Sequence, residues 1–424
     1  MSKRVLIATM GSFGDLHPYL AIAIGLRDRG HEVTLASSAM YREKVESEGI
    51  RFVTIPPDLS HIEHDAEARR RTMATFDGTR YVVQDLFLPP IAEQYRILLE
   101  EARGADVLLG SLFAIGLSLA AAKLNKPYLT SALQPAAILS AYDAPMIPAM
   151  PLLPYMPVWM LRGVYRGLEK AFEFLLKRAY EVAAAEGLPR EAVPKVFGHS
   201  SPHGNLILFS RHFMAEQPDF PQPATICGFP FYDRLSGKEQ GLEAELEDFL
   251  RAGEAPFVFT LGTSAVLDPG RFYEEAAGAV KRLGGRGVFL VGRTNLESYR
   301  AAFGSDQIYV TAYAPHSMLM PRGRATVHQG GVGTTAQALR AGRPMVVVPF
   351  SHDQPDNAQR CVRLGVAASI SRHRLSAGRL TEALKRTEAM AGQAARIGQL
   401  IAAEDAVGRA CEKIEATQPS PRSI

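Results

Sequence analysis

The chain has 424 residues, of which 47% are hydrophobic and 21% are charged, a composition typical of globular proteins and unlike that of disordered ones. Lysine and arginine total 47 against 44 aspartate and glutamate, and this formal charge of +3 excludes a broad positive field for binding nucleic acid. The length allows two or three domains.

The three cysteines, Cys227, Cys361 and Cys411, are far apart and form no C-x-x-C motif. A disulfide framework or a thiolate zinc site is therefore not expected, and a reducing cytoplasm fits best. The apolar run before Gly11 is too short for a signal sequence or a membrane span. We expect a cytoplasmic protein without a stable membrane anchor, and contact with lipid at the membrane periphery stays open.

The first forty residues predict a βαβ unit. Residues 3–10 are a continuous apolar run, as in a strand buried on both faces of a parallel sheet. Residues 11–17 form a loop, a helix with Pro18 near its start ends at Gly30, and residues 31–37 form the next strand. The loop therefore lies at the carboxyl edge of the sheet, where ligands of α/β proteins bind.

The alternation of strands and helices continues in two halves of similar size, which predicts two α/β domains with a cleft between them. A long helix is predicted near 82–102 and another near 159–186. The prolines of 212–237 favour an interdomain linker. The predicted domains are 1–211, 238–395 and a C-terminal helix over 396–424 that packs towards the first domain.

Residues 328–334, His-Gln-Gly-Gly-Val-Gly-Thr, join a strand to a helix. Glycines let backbone N–H groups approach a ligand, and a helix N-terminus attracts a phosphate or diphosphate. A tight turn that merely requires small residues explains the glycines equally well. The loop lacks the dinucleotide fingerprint and the P-loop lysine, so a dehydrogenase or kinase is disfavoured. Asp353, Gln354 and Asn357 follow the next strand and are placed to bind sugar hydroxyls.

Residues 310–358 resemble the donor-binding signature of the UDP-glycosyltransferase superfamily, whose members have the GT-B fold of two facing Rossmann-like domains. The resemblance implies that Tyr313 stacks on the base, that His328 contacts the diphosphate, and that Asp353 and Gln354 hold the donor sugar. Residues 260–264 resemble a phosphate-binding loop of the same domain. The full set of implied donor-binding residues is Gly262, Thr263, Ser264, Tyr313, His316, His328, Gly330, Gly331, Gly333, Thr334, Asp353, Gln354 and Asn357.

One position departs from the plant members of this superfamily. Ala336 stands where many of them have a glutamate that binds the ribose hydroxyls. Bacterial and sterol-type members also lack that glutamate, and they include enzymes that use UDP donors and others that use dTDP donors. The choice between UDP and dTDP stays open.

Residues 11–23 are similar to the G-S-x-G-D-x-x-P loop of bacterial natural-product, rhamnolipid-type and fungal sterol glycosyltransferases. The resemblance places Asp15 where plant members carry their catalytic histidine, and the reaction needs a base there to take the acceptor's proton. His17 is the alternative base, although a surface histidine that caps the loop explains it better. Gly110 and Ser111 stand where plant members have the aspartate that orients their histidine, which agrees with an aspartate base.

The resemblance implies an inverting, metal-independent glycosyltransferase that moves a hexosyl group, glucose or rhamnose, from a UDP- or dTDP-sugar to a lipophilic or aromatic hydroxyl. No cofactor is expected, because the nucleotide sugar is a co-substrate and no D-x-D motif is present. A monomer or weak homodimer is expected. A nucleotide-sugar epimerase of the two-Rossmann type and a non-catalytic nucleotide-sugar binding protein remain alternatives.

Prolines at 145, 148, 151, 154 and 157 recur every third residue, the repeat of a polyproline II helix. One interpretation is an adaptable acceptor wall rich in methionine, and the other is packing on the long helix that follows. The acceptor-binding residues predicted by the first interpretation are Phe13, Met146, Met150, Tyr155 and Met156.

Overall fold

The computed structural model describes residues 2–60, 62, 65–74, 77–195, 197–234 and 241–418. The chain divides into two units. The first comprises residues 1–66, 77–232 and 404–424, and the second comprises residues 67–76 and 233–403.

The first unit contains a parallel sheet of seven strands in the order β3-β2-β1-β4-β5-β6-β7. The strand β1 lies near the middle, with Leu6 paired to Thr34 on one side and to Leu108 on the other. The strands are β1 Arg4–Ala8, β2 Glu32–Ser37, β3 Arg51–Thr54, β4 Val107–Gly110, β5 Tyr128–Ala132, β6 Asn205–Ile207 and β7 Ala224–Ile226.

Helices cover both faces of this sheet, so alternate residues of β1 enter different apolar clusters. Leu6 belongs to one cluster and Ile7 to the other, and both side chains are fully buried. The α-helices of this unit are Phe13–Asp28, Arg42–Ser47, Gly78–Arg80, Ile91–Gly104, Ile115–Leu124, Val158–Leu175, Lys177–Ala185 and Ala406–Ala416. The shorter helical turns are Ala39–Tyr41, Tyr81–Phe87, Pro135–Ala137, Leu153–Tyr155 and Arg190–Ala192.

The second unit contains a parallel sheet of six strands in the order β10-β9-β8-β11-β12-β13. Its strands are β8 Phe257–Thr260, β9 Gly287–Leu290, β10 Ile308–Thr311, β11 Ala325–His328, β12 Met345–Val347 and β13 Ala367–Ser369. Its α-helices are Ala244–Arg251, Gly262–Ala265, Phe272–Leu283, Gly292–Phe303, His316–Leu319, Val332–Arg340, Gln354–Arg363, Ala377–Thr387 and Ala391–Ala402, and most of Ala66–Thr72 also belongs here. Short 3₁₀ turns lie at Met320–Arg322, Arg372–Arg374 and Glu388–Met390.

The predicted α/β class with two parallel sheets is confirmed, but the unit boundaries differ from the predicted ones. Residues up to 232 belong to the first unit, because β7 pairs with β6 inside the range assigned to a linker. The last part of that range, 235–237, lies outside the described residues. Residues 67–76 belong to the second unit, where Met73 is buried in the core. The strands β7 and β13 were not predicted, since each has only three residues at a sheet edge.

The C-terminal range 396–424 is divided between the units after Ala403. Helix Ala406–Ala416 packs in the first unit, where the Lys3 ammonium donates hydrogen bonds to the carbonyl oxygens of Glu415 and Thr417 at 2.5 and 2.8 Å. A cation at this position satisfies carbonyl groups that a helix C-terminus leaves without partners. The first strand and the last helix are thereby joined.

Two local predictions were wrong. The helix predicted near 82–102 is interrupted between the π-helical turn Tyr81–Phe87 and the helix Ile91–Gly104, because two prolines at 89 and 90 lack backbone donors. The proline-rich segment is not a polyproline II helix. It folds into turns, and Leu152 has the helical dihedrals φ −87° and ψ −11°.

Candidate active site

The loop after β1 turns sharply into the first long helix. Gly11 has φ +134°, and Ser12 is the N-cap of helix Phe13–Asp28, with its hydroxyl accepting a hydrogen bond from the Gly14 N–H at 3.2 Å. The Ser12 N–H donates to Oδ2 of Asp15 at 2.8 Å, which completes a capping box. The loop is therefore held by its own side chains.

Asp15 is the only carboxylate of this loop. Its Oδ2 accepts hydrogen bonds from the backbone N–H and the hydroxyl of Ser12. Within the described part of the chain, Oδ1 receives no hydrogen bond. Burial raises the pKa of the Asp15 carboxyl to about 6, although the hydrogen bonds from Ser12 act in the opposite direction. The carboxyl thus has one anchored oxygen, one available oxygen and a pKa close to neutrality.

Glycine is required at position 11 because the Asp15 carboxylate occupies the space of a side chain. A Cβ atom added to Gly11 would lie 2.2 Å from Oδ2 of Asp15 and 2.5 Å from its Cγ. The φ of +134° also disfavours any other residue. The close approach of Gly11 therefore sets the position of the carboxylate.

Replacing Gly11 by alanine should displace the carboxylate and lower kcat by about 10²-fold, the order of loss caused by a misplacement near 1 Å. Steady-state kinetics measures this loss. Gly30→Ala is the matched control, since Gly30 has φ +86° but its added Cβ would meet nothing within 4 Å. Equal kcat losses in both variants would contradict the displacement of Asp15.

His17 lies in an aromatic cluster on the same helix. Its ring is 5.3 Å from the Phe13 ring and 5.1 Å from the Tyr232 ring, centroid to centroid. The Lys44 ammonium lies over the rings of Phe13 and Tyr232 at 5.4 and 4.7 Å. The N-cap of this helix is Ser12 and not His17. Phe13 packs in this cluster as well.

The strand β4 contributes small residues next to β1. The Ser111 N–H donates to the Ala8 carbonyl at 2.9 Å, and Gly110 pairs with Ala8 in the sheet. The Ser111 hydroxyl is buried and has no hydrogen-bond partner among the described residues. No acid at this position orients a histidine, as the sequence indicates.

In the second unit, glycines with positive φ follow the strands β8 and β11, which carry the predicted donor-binding loops. Gly262 (φ +61°) follows β8, and Gly330 (φ +92°) follows β11. Thr263 is exposed at the start of helix Gly262–Ala265, whereas the side chain of Ser264 lies outside the described part of the chain. Gly331 is the N-cap of helix Val332–Arg340, and no side chain of the described residues caps that helix.

His328 lies completely buried at the end of β11. Its Nδ1 accepts a hydrogen bond from the Gly330 N–H at 3.0 Å, and its Nε2 lies 3.3 Å from the sulfur of Met345. Burial, reinforced by His316, lowers the pKa of His328 to about 3. The imidazole is therefore neutral, and both nitrogens have partners within the unit. In this arrangement His328 holds the turn that carries Gly330, and its contact with a diphosphate stays a prediction.

Gln329 is a further polar residue of the glycine loops that was not predicted from the sequence. Its Nε2 fills the space beside two glycines. A Cβ atom added to Gly262 would lie 2.4 Å from this nitrogen, and one added to Gly331 would lie 2.8 Å from it. Its buried Oε1 has no hydrogen-bond partner among the described residues. Its place directly after His328 was the available signal.

Asn357 connects the two loops that follow β11 and β12. Its Nδ2 donates to the Gly330 carbonyl at 2.9 Å and to Oδ2 of Asp353 at 2.6 Å. Gln354 bends back instead, and its Oε1 accepts from the N–H groups of Phe350 and Ser351 at 2.8 and 3.1 Å. Asp353 is thus held beside the glycine loop.

Tyr313 and His316 follow β10, with ring centroids 6.2 Å apart. The Tyr313 hydroxyl donates to the Asp233 carbonyl, and the Asp233 carboxylate accepts from the Ser317 N–H at 2.6 Å. Burial lowers the pKa of His316. The structure therefore brings His316 close to His328. It also connects Tyr313 to Asp233, the first residue of the longer segment of this unit.

Comparisons with known proteins find similar sequences and structures for this chain. The glycosyltransferase family 28 N-terminal domain matches residues 5–130, and the erythromycin biosynthesis protein CIII-like C-terminal domain matches residues 298–414. O-mycaminosyltylonolide 6-deoxyallosyltransferase of Streptomyces fradiae is 32% identical over 429 residues, which cover 97% of each chain. The chain belongs to the UDP-glycosyltransferase superfamily.

Other members of the superfamily are also similar. A sterol 3-beta-glucosyltransferase of Arabidopsis thaliana is 27% identical over 376 residues, which are 86% of this chain and 57% of the relative. The glycosyltransferase of kitacinnamycin superposes with a TM-score of 0.72 at 22% identity over 99% of this chain and all of that chain. The spinosyn rhamnosyltransferase SpnG, complexed with thymidine diphosphate, gives a TM-score of 0.65 at 18% identity over 97% of this chain and all of that one. The GT-B fold and the glycosyltransferase class are thereby confirmed.

The acceptor-binding residues predicted for this glycosyltransferase do not form one exposed wall. Met150 and Met156 pack against the small cluster formed by Ala141, Ala144, Leu153 and Leu161. Met146 is half-buried, whereas Tyr155 is 75% exposed. Met150 and Met156 therefore contribute to the packing of the turn-rich segment, and the acceptor-binding role of the five residues stays a prediction.

Proposed function

We propose that this glycosyltransferase inverts the anomeric centre while it transfers a hexosyl group, glucose or rhamnose, from a UDP- or dTDP-sugar to a hydroxyl of a lipophilic or aromatic acceptor. Asp15 is the general base. This assignment rests on the surroundings of the Asp15 carboxyl. Ser12 donates hydrogen bonds to its Oδ2, and its Oδ1 has no hydrogen-bond partner among the described residues. Its pKa is raised to about 6. A base with a pKa close to the working pH is the most effective proton acceptor.

The proposed step is a single displacement. The acceptor oxygen forms a bond to the anomeric carbon while its proton passes to Oδ1 of Asp15. The bond between that carbon and the diphosphate oxygen breaks, and its electron pair leaves with the nucleoside diphosphate. Attack from the face opposite the leaving group inverts the configuration. Asp15 later returns its proton to water.

The proposed diphosphate site is the N-terminus of helix Val332–Arg340. Among the described residues, no side chain caps the N–H groups of its first turn, in contrast to helix Phe13–Asp28, which Ser12 caps. Such N–H groups and the helix dipole stabilise the negative charge that develops on the leaving diphosphate. No metal ion is assigned a role, and His328 supports the turn as a neutral residue.

Two relatives support the choice of substrates. The Streptomyces fradiae relative is an O-mycaminosyltylonolide 6-deoxyallosyltransferase, and the spinosyn rhamnosyltransferase SpnG is complexed with thymidine diphosphate. Release of UDP or dTDP from a panel of nucleotide sugars, measured with a hydrophobic alcohol present and absent, tests the proposal. Release that does not depend on an acceptor would contradict transfer to a hydroxyl.

The activity should depend on pH through Asp15. The base acts only when it is ionised, so kcat/KM should fall about tenfold for each pH unit below about pH 6 and level off above it. His328, with a pKa near 3, does not titrate in this range. A pH profile of kcat/KM measures this decrease. If the same decrease persisted in the residual activity of Asp15→Asn, it would have to be assigned to another group.

Asp353 is proposed to contact the donor sugar and not the nucleotide. Asp353→Ala should therefore weaken binding of the intact donor by about 10- to 100-fold, the loss of one charge-assisted hydrogen bond, with little effect on free UDP or dTDP. His328→Ala should weaken both ligands, because it releases the turn at Gly330. Calorimetric titration measures the affinity of each variant for the intact donor and for the free nucleotide. Equal losses of affinity for both ligands in Asp353→Ala would contradict the sugar contact.

A further inference from the structure

The segment from residue 152 to residue 174 exposes large apolar side chains to an unusual degree. Leu152, Tyr155 and Trp159 are 65%, 75% and 72% exposed, and Phe174 is 75% exposed. The other large apolar side chains that are exposed in the described part of the chain reach at most 44%. Exposed apolar groups clustered in this way are typical of an interaction surface.

Helix Val158–Leu175 has two different faces. Leu161 is 2% exposed and packs into the small cluster with Ala144, and Val164 packs against the same cluster. Trp159, Arg162, Arg166 and Lys170 recur at intervals of three or four residues, which places them together on the opposite face. We call Leu152, Tyr155, Trp159, Arg162, Arg166 and Lys170 the 152–170 surface.

The net charge of the 152–170 surface is positive. Arg166 and Lys170 are exposed, and neither has an ion-pair partner among the described residues. The two acids of the same helix are neutralised from other elements, because Glu169 pairs with Lys195 and Glu173 pairs with Arg190 at 3.3 Å.

Arg162 is also part of this positive surface. Its guanidinium donates to the Tyr142 hydroxyl at 2.8 Å and lies 5.6 Å from the ring centroid, so its partner is neutral. Three cations therefore lie on the same helix face as the exposed tryptophan, and no acid of the described residues pairs with them.

We propose that the 152–170 surface docks on an anionic lipid bilayer, with helix Val158–Leu175 lying in the plane of the interface. Aromatic side chains prefer the boundary between headgroups and acyl chains, and neighbouring cations bind the anionic headgroups. No helix of the described residues is long and apolar enough to cross a membrane. A second copy fits less well, since a twofold contact would bring the three cations of both copies into one interface without a compensating acid on this surface. The docking requires none of the chemistry at Asp15.

The test is flotation of the full chain with vesicles of phosphatidylcholine alone and of phosphatidylcholine with phosphatidylglycerol. Trp159 is the only tryptophan of the chain, so its fluorescence reports directly on this surface. We expect flotation and a blue shift only with the anionic vesicles, and both should weaken as salt is raised. Arg166→Glu with Lys170→Glu should lower the partition coefficient at least about fivefold for each changed cation.

Two pairs of substitutions distinguish binding through the 152–170 surface from nonspecific adsorption of exposed apolar side chains to vesicles. Tyr155→Ser with Leu152→Ser should reduce flotation and leave the Trp159 probe in place. Met318→Ser with Val362→Ser removes two exposed apolar side chains of the second unit and should leave flotation unchanged. Thermal unfolding of every variant confirms that it is folded.

Three results would overturn the assignment. One is no flotation with anionic vesicles, another is flotation that is insensitive to the variants of the 152–170 surface, and the third is concentration-dependent dimerisation abolished by those variants. The third result would assign the surface to a second copy. None of these readouts depends on sugar transfer, so they are independent of the assignment of Asp15.

Discussion

Replacing Asp15 by asparagine is expected to lower kcat by about 10²- to 10⁴-fold, the contribution of a positioned general base. An asparagine oxygen still accepts the hydrogen bond that the Ser12 N–H donates to Oδ2, so the capping box persists. The melting temperature and the affinity for the donor should therefore change little. Initial rates of nucleotide release together with thermal unfolding measure both effects.

Ser12→Ala is the matched control for Asp15→Asn. It removes the N-cap hydroxyl and its hydrogen bond to Oδ2 but keeps the carboxyl. It should cost about 1 kcal/mol of stability with a much smaller loss of kcat. Asp15 would be a structural cap and not the base if Asp15→Asn retained the wild-type kcat while Asp15→Ala unfolded at a lower temperature.

Replacing Asp356 by alanine is expected to destabilise the second unit by about 3–5 kcal/mol. Asp356 and Arg360 form an ion pair in helix Gln354–Arg363, with Nε and Oδ2 2.8 Å apart and side chains only 3% and 1% exposed. The substitution removes the carboxylate that pairs with the buried Arg360 guanidinium. Chemical unfolding monitored by circular dichroism measures the loss.

Glu382→Ala provides the control for Asp356→Ala in the same unit. Glu382 pairs with Lys385 at 3.0 Å, but both side chains are about 60% exposed, and such pairs contribute at most about 1 kcal/mol. Replacing both Asp356 and Arg360 by apolar residues of similar size should restore part of the stability lost in Asp356→Ala. Similar losses for Asp356→Ala and Glu382→Ala would show that burial of the pair has no energetic consequence.

Much of the site could be predicted because its local signals are strong. Glycines at 11, 262 and 330 mark turns at strand ends, and all three have positive φ in the structure. The serine and aspartate three residues apart at positions 12 and 15 form the capping box that this spacing favours. Edge strands such as Ala224–Ile226 were missed because three residues carry too little periodicity to distinguish a strand from a loop.

The sequence by itself determined the two parallel sheets, the loops that carry Asp15 and Asp353, and the family, since each depends on residues close together in the chain. The tertiary structure alone decided that Oδ1 of Asp15 is available, that its pKa is raised, and that His328 is buried and neutral. It also decided that Met150 packs inward while Trp159 stays exposed. Burial depends on side chains contributed by distant segments, and no local pattern specifies which of two apolar residues they will cover.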